Sequence, residues 1–103
     1  MVTQLAAINE TKNFLTDLKN IGINLRKAYL FGSYVNQKQH EHSDIDVALV
    51  ADEFVGVGHI DIKLFLKILR NYKLIHAITY SYLDFEEGNP FLEEIKKNGL
   101  ELL

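Results

Sequence analysis

Residues 30–47 read LFGSYVNQKQHEHSDIDV, and the fold follows from how this stretch is interpreted. An apolar run ends at Gly32-Ser33, ten mostly polar residues follow, and Asp44-Ile45-Asp46 leads into a second apolar run. Residues i and i+2 of a strand project to the same face, so we expect Asp44 and Asp46 to lie side by side with Ile45 turned into the core. Two adjacent carboxylates repel each other unless a cation lies between them. The spacing therefore predicts a cation site at the start of a strand.

The Gly-Ser pair predicts a second half for this site. Hard divalent cations such as Mg²⁺ take oxygen ligands and usually keep waters or substrate phosphates in their shell. Gly32 and Ser33 stand where a strand ends, where free backbone amides can hold a phosphate and glycine allows its close approach. A plain alternative exists for each half, because aspartates are common at strand edges and Ser43-Asp44 also suits a turn. The two halves together predict a metal–triphosphate site.

Composition favours a single soluble globular domain of the whole chain, residues 1–103. The sequence is 48% hydrophobic and 24% charged, with a formal net charge of −3, which gives no strong nucleic-acid signal. It contains no cysteine, so disulfides and thiolate metal sites are excluded, and a cytoplasmic location is expected. No signal peptide or apolar run of membrane-spanning length is present, so we expect no membrane association.

Hydrophobic periodicity predicts a small domain of three helices and three strands. We expect Thr3 to cap the first helix and Asn89 to cap the last, with Pro90 as its first residue. The predicted order is helix 3–20, strand Leu25–Phe31, strand Ile45–Ala51, helix 60–72, strand 74–83 and helix 90–98. This order is typical of an α/β (α+β) fold with a mixed β-sheet and helices packed on it.

Gly32-Ser33, ten residues and Asp44-Ile45-Asp46 resemble the GS-x10-DxD signature of the DNA polymerase beta-type nucleotidyltransferases. The flanking Leu30-Phe31, Ser43 and residues 47–50 also match, and residues 84–91 with Gly99 are similar to the C-terminal segment of the family's small single-domain members. These members are called minimal nucleotidyltransferases. The resemblance covers most of residues 25–103 and implies a small nucleotidyltransferase-like mixed sheet.

The resemblance also implies an activity and a set of site residues. Asp44 and Asp46 would hold Mg²⁺, and Gly32 and Ser33 would contact the phosphates of a nucleoside triphosphate, with ATP the expected substrate. An acceptor hydroxyl would then attack the α-phosphorus and release pyrophosphate. Small members are frequently paired with a HEPN-type protein as the antitoxin of a toxin–antitoxin system. The resemblance thus implies a HEPN-type partner, or a second copy of the chain, as the source of the acceptor.

Two positions depart from the family pattern. Gln37 stands where many members have a second glycine. The third carboxylate, which normally lies on a later strand, is missing from the strand predicted after residue 73, and His76 falls where the acid is expected. A neutral imidazole can accept a proton or bind metal, although a lone strand histidine is more often structural. Asp61 is a second substitute for the acid, with a charge at a helix N-terminus as the simpler interpretation.

A second histidine motif lies in the polar loop. His40 and His42 bracket Glu41, and a His-x-His pair can ligate transition metals. A solvated loop explains the same residues without any metal, and we favour that interpretation.

Two classes of function follow from these features. The first is an enzyme that transfers a nucleotidyl group, with AMP from ATP the expected case. The second is a catalytically impaired nucleotidyltransferase-like module that acts by binding its partner, which the missing carboxylate favours. The intact Gly-Ser and Asp-Ile-Asp favour the enzyme, because a binding surface alone has no need of them.

Overall fold

A four-stranded mixed sheet forms the centre of the computed structural model, which describes residues 3–36 and 44–103. The strand order is β3-β2-β1-β4, with β2 antiparallel to β1 and parallel to β3, and with β4 antiparallel to β1. The strands are β1 Leu25–Phe31, β2 Ile45–Ala51, β3 Ile75–Ser81 and β4 Leu100–Glu101. The helices are α1 Gln4–Asn20, α2 Ser33–Asn36, α3 Gly58–Asp61, α4 Leu66–Leu69, α5 Tyr82–Glu87 and α6 Pro90–Asn98, with a 3₁₀ turn at Ile62–Leu64. The predicted mixed sheet with helices packed on it is confirmed.

Strand β2 is buried on both faces because helices cover both sides of the sheet. Its alternate residues Val47 and Leu49 belong to the larger apolar cluster, which includes Phe14 and Leu18 of α1. Full burial of one such side chain contributes about 1.5–3 kcal/mol. Ala48, with the opposite parity, packs in a smaller cluster beneath α6. Each face of β2 is therefore apolar along most of its length, as expected for an interior strand.

The helix ends follow the predicted capping residues. The Thr3 side chain accepts a hydrogen bond from the Ala6 amide and begins α1. Asn89 accepts one from the Leu92 amide at 2.8 Å, and Pro90 is the first residue of α6. Both caps satisfy amides that have no partner within the helix. None of the helices in the described part of the chain is long and apolar enough to span a membrane.

The single helix predicted over residues 60–72 is wrong. The structure divides this segment into α3, a 3₁₀ turn and α4. The break falls at Phe65, whose backbone leaves the helical region at φ −137° and ψ 23°. Phe65 is buried against Phe14 and Phe54, so packing of its ring outweighs the helical periodicity of its neighbours.

The strand predicted over residues 74–83 is correct in type but too long at its end. Strand β3 stops at Ser81, whose hydroxyl accepts a hydrogen bond from the Asp84 amide and caps α5. The apolar and aromatic residues 82, 83 and 85 lie in this short helix. A serine three residues before an aspartate is the usual signal for a helix start, and it competes here with the strand pattern.

Candidate active site

Sheet register brings three of the predicted site residues to one end of the sheet. Asp46 of β2 is paired with Phe31, the last residue of β1, and with His76 of β3. Gly32 follows Phe31 directly. Since Val47 faces the α1 side of the sheet, Asp46 projects to the opposite face, where α6 packs. The site therefore lies on the α6 face, where β1 ends and β2 and β3 begin.

Gly32 lies against the carboxylate of Asp46. Its φ of +79° is in the left-handed region that favours glycine. A Cβ built on Gly32 would overlap Oδ2 of Asp46 and lie 3.2 Å from its Cγ. The backbone conformation favours glycine at this position, and without a Cβ the turn after β1 fits around the Asp46 side chain.

His76 contacts the other oxygen of the same carboxylate. Its Nδ1 lies 3.3 Å from Oδ1 of Asp46, and the two side chains are 64% and 27% exposed respectively. The parallel register Asp46↔His76 places both side chains on one face of the sheet. The position where a third carboxylate is expected is thus occupied by an exposed imidazole beside Asp46.

The other two predicted site residues flank this cluster. Asp44 is exposed and precedes the first residue of β2 by one position. Ser33 is half-buried and is the first residue of α2. Ile45, between the two aspartates, is fully buried, as expected. Gln37, the His40–His42 pair and Ser43 lie outside the residues that the structure describes.

The donor set around Asp46 suits a hard cation that keeps other ligands. Within residues 3–36 and 44–103, no three His, Asp or Glu side chains form a ready-made metal site. Mg²⁺ does not require such a cage, because it is usually held by one or two carboxylates together with waters and substrate phosphates. Asp46 supplies one carboxylate, Asp44 lies two residues before it, and Oδ2 of Asp46 lies directly against the turn at Gly32. These residues fit a Mg²⁺–triphosphate complex.

Asp61 does not replace the missing acid. It is only 1% exposed and accepts hydrogen bonds from the amides of Val55 and Gly56 and from the Thr79 hydroxyl, at 2.8–3.0 Å. Thr79 has the parity of Leu49 and faces the α1 side of the sheet, opposite to Asp46. Asp61 lies in the first turn of α3, as the simpler interpretation has it, and its carboxylate also holds the loop after β2 in place.

A groove beside Gly32 was not predicted from the sequence. It has a volume of about 280 Å³, and Phe31, Phe91, Glu94 and Asn98 contribute to its lining. The last three residues belong to α6 and are spaced i, i+3 and i+7, so they share one face of the helix. This spacing was the available signal, but only the tertiary structure brings that face to the end of β1.

Comparison with known proteins identifies the family. A model of the family described as "Polymerase beta, Nucleotidyltransferase" matches residues 9–103. The chain belongs to the polymerase beta nucleotidyltransferase family. No curated protein sequence matches the chain.

Solved structures share the nucleotidyltransferase fold with this chain. A candidate nucleotidyltransferase from Sulfolobus solfataricus superposes with a TM-score of 0.68 at 17% identity, over 95% of this chain and 80% of that one. A toxin–antitoxin structure with AMP-PNP gives a TM-score of 0.63 at 22% identity, over 93% of this chain and 72% of that one. A toxin–antitoxin MntA-HpeT variant, in which two aspartates two positions apart are replaced by glutamate, gives 0.61 at 22% identity, over 91% and 72%. At these identities the likeness establishes the fold alone.

Proposed function

We propose that this nucleotidyltransferase catalyses Mg²⁺-dependent transfer of AMP from ATP to an acceptor hydroxyl. The observation that carries the proposal is the contact of Gly32 with one oxygen of Asp46 while His76 contacts the other. The Asp46 side chain is 27% exposed, so it can bind a ligand from solvent while it lies against the glycine turn. It has a clear role if a metal-bound triphosphate occupies the turn.

Asp44 and Asp46 would hold the metal in this proposal. When bound, Mg²⁺ neutralises negative charge on the phosphate oxygens and aligns the triphosphate for in-line attack. Oδ2 of Asp46 faces Gly32, on the side proposed for the triphosphate, and Oδ1 faces His76. Gly32 and Ser33 would contact the phosphates, because the turn that they form lies directly beside the proposed metal ligand Asp46.

His76 is the proposed acceptor of the proton in the transfer step. The acceptor oxygen bonds to the α-phosphorus, the bond from that phosphorus to pyrophosphate breaks, and the hydroxyl proton passes to the imidazole. A hydrogen bond from Nδ1 to Asp46 would leave Nε2 as the free base. With 64% of its side chain exposed, His76 is accessible to an acceptor presented from outside the chain.

We infer that the acceptor hydroxyl belongs to a partner protein. The described residues form one sheet with its helices. In this proposal residues 1–103 are a single nucleotidyltransferase domain, and another chain supplies the acceptor. Similarity to two toxin–antitoxin structures supports a toxin partner, which we propose to be a HEPN-type protein with this chain as its antitoxin. A second copy of the chain is the alternative source of the acceptor. The pair would act in the cytoplasm, where ATP and Mg²⁺ are available.

One observation favours a second candidate function, a partner-binding module without turnover. No third carboxylate joins Asp46 among residues 3–36 and 44–103, and His76 occupies the strand position where it is expected. An imidazole binds Mg²⁺ poorly because it is a nitrogen ligand. A chain of this kind would bind its partner with or without nucleotide.

A transfer assay separates the two functions. The chain is incubated with the HEPN-type partner and ATP labelled in its α-phosphate, and label on the partner is measured together with partner affinity. Asp46→Asn should abolish labelling and leave partner affinity unchanged. Asp52→Asn is the matched control, since it makes the same change at the far end of β2, where Asp52 pairs with Arg26, and it should label normally. Equal labelling by the wild type and Asp46→Asn would reject the enzyme.

A further inference from the structure

The groove beside Gly32 has features that the transfer of phosphate does not explain. It is continuous with the proposed phosphate site, because Gly32 itself lines it. Phe31 and Phe91 lie in its wall with ring centroids 5.8 Å apart, and Phe91 remains 52% exposed. Glu94 and Asn98 supply polar groups on the same wall. An apolar groove with a few polar groups is the usual form of a small-molecule site.

We propose that this groove binds the adenine base of ATP and thereby selects the nucleotide. The inference rests on the proposed function, since it assumes that the triphosphate lies at Gly32. A volume of about 280 Å³ is at the low end for ligand sites, which suits a base better than a larger acceptor segment. Continuity with Gly32 provides the direction, with the base in the groove and the phosphates at the turn.

Charge supports the same orientation of the nucleotide. The described residues that line the groove include one acid, Glu94, and no lysine or arginine. A carboxylate repels phosphate, so the negatively charged end of the nucleotide is disfavoured in the groove. The neutral base meets no such penalty. Phe91, which is half exposed, presents an aromatic ring on which a base can stack.

Asn98 supplies the selectivity for adenine. Its Nδ2 donates a hydrogen bond to Oε1 of Glu94 at 2.5 Å, which keeps one N–H and the carbonyl oxygen of the amide for a ligand. An amide of this kind matches the N6–H donor and N7 acceptor of adenine. Guanine presents two acceptors, O6 and N7, at the same edge, so it pairs less well with the amide. The groove therefore discriminates between the two purines.

Calorimetric titration of the full chain with Mg²⁺ complexes of ATP, GTP and inorganic tripolyphosphate tests the proposal. ATP should bind about tenfold more tightly than either other ligand, from base stacking and the paired amide contacts. Phe91→Ala and Asn98→Ala should each lower the affinity for ATP about tenfold and leave the affinity for tripolyphosphate unchanged. Leu83→Ala, at an exposed apolar residue of α5, is the matched control and should change neither affinity.

Each other outcome overturns the proposal in a recognisable way. If ATP and tripolyphosphate bind equally, the base makes no contact with the groove, and the metal–triphosphate site stands without it. If the groove variants keep their ATP affinity but slow transfer to the partner, the groove holds the acceptor. If neither ATP nor tripolyphosphate binds, both the proposed function and the base site are rejected.

Discussion

Gly32→Ala is the substitution that examines the geometry of the site most closely. The new Cβ would stand in left-handed backbone at φ +79° and overlap the carboxylate of Asp46. Left-handed backbone costs an L-residue about 1–2 kcal/mol. Turning the Asp46 side chain aside adds about 0.5–1.5 kcal/mol, the cost of an off-rotamer side chain, because the overlapping atom is its far end. We therefore expect Gly32→Ala to lower the free energy of unfolding by about 1.5–3.5 kcal/mol and to move Asp46 away from Gly32.

Gly22→Ala is a matched control for the backbone part of this effect. Gly22 has φ +94°, and a Cβ built there meets nothing within 4 Å. The free energy of unfolding of the control should therefore fall only by the conformational cost, about 1–2 kcal/mol. The difference between the two variants measures the contact with Asp46 alone.

Urea unfolding followed by circular dichroism gives the two free energies, and calorimetry with Mg²⁺–ATP gives the affinities of the same variants. Gly22→Ala should bind Mg²⁺–ATP as the wild type does, whereas Gly32→Ala should bind it at least tenfold more weakly, a change of about 1.4 kcal/mol. A Gly32→Ala variant that is no less stable than Gly22→Ala and keeps the wild-type affinity would contradict this geometry of the site.

The remaining predictions concern stability away from the site. Asp61→Ala should lower the free energy of unfolding by about 2–3 kcal/mol, because the buried Thr79 hydroxyl and two part-buried backbone amides lose their acceptor. A change under about 0.5 kcal/mol in urea unfolding would contradict this. The hydrogen bond to Asp17, aided by burial, raises the pKa of Tyr72 from 10.0 to about 12. The contribution of this hydrogen bond to the free energy of unfolding is therefore complete below pH 10 and is lost as the pH rises towards 12. The free energy of unfolding measured across this range should depend less on pH in Tyr72→Phe. The Tyr29 hydroxyl and Lys27 lower the pKa of Glu101. The stability that these contacts contribute is therefore lost as the pH falls through the lowered pKa. The stability of Glu101→Gln should be less sensitive to acid in the same assay.

Local sequence signals predict much of this fold because most elements obey their own periodicity. The bounds of β1 and β2 and the caps of α1 and α6 follow from hydrophobic pattern and capping residues. The segment around Phe65 does not, since burial of its ring against Phe14 is a long-range contact that interrupts the helical pattern. Strand β4 has only two residues, too few for any periodic signal.

The sequence likewise predicts some features of the candidate site and not others. The spacing of Gly32 and Asp46 is a sequence feature, and the register of β1 with β2 brings the two together as the strand parity suggests. The contact of His76 with Asp46 depends on the register of a parallel pair, which a slip of one residue would reverse. The groove wall at Phe91 depends on how α6 packs, which no local pattern fixes.

Asp44 and Asp46 are proposed to hold a metal-bound triphosphate, and one calorimetric experiment measures that role. The wild-type chain and Asp44→Asn/Asp46→Asn are titrated with ATP in the presence and absence of Mg²⁺. We expect Mg²⁺-dependent binding by the wild type that disappears in the double variant, while urea unfolding shows that the variant remains folded. Binding of equal strength in both proteins, or no binding by the wild type, would contradict it.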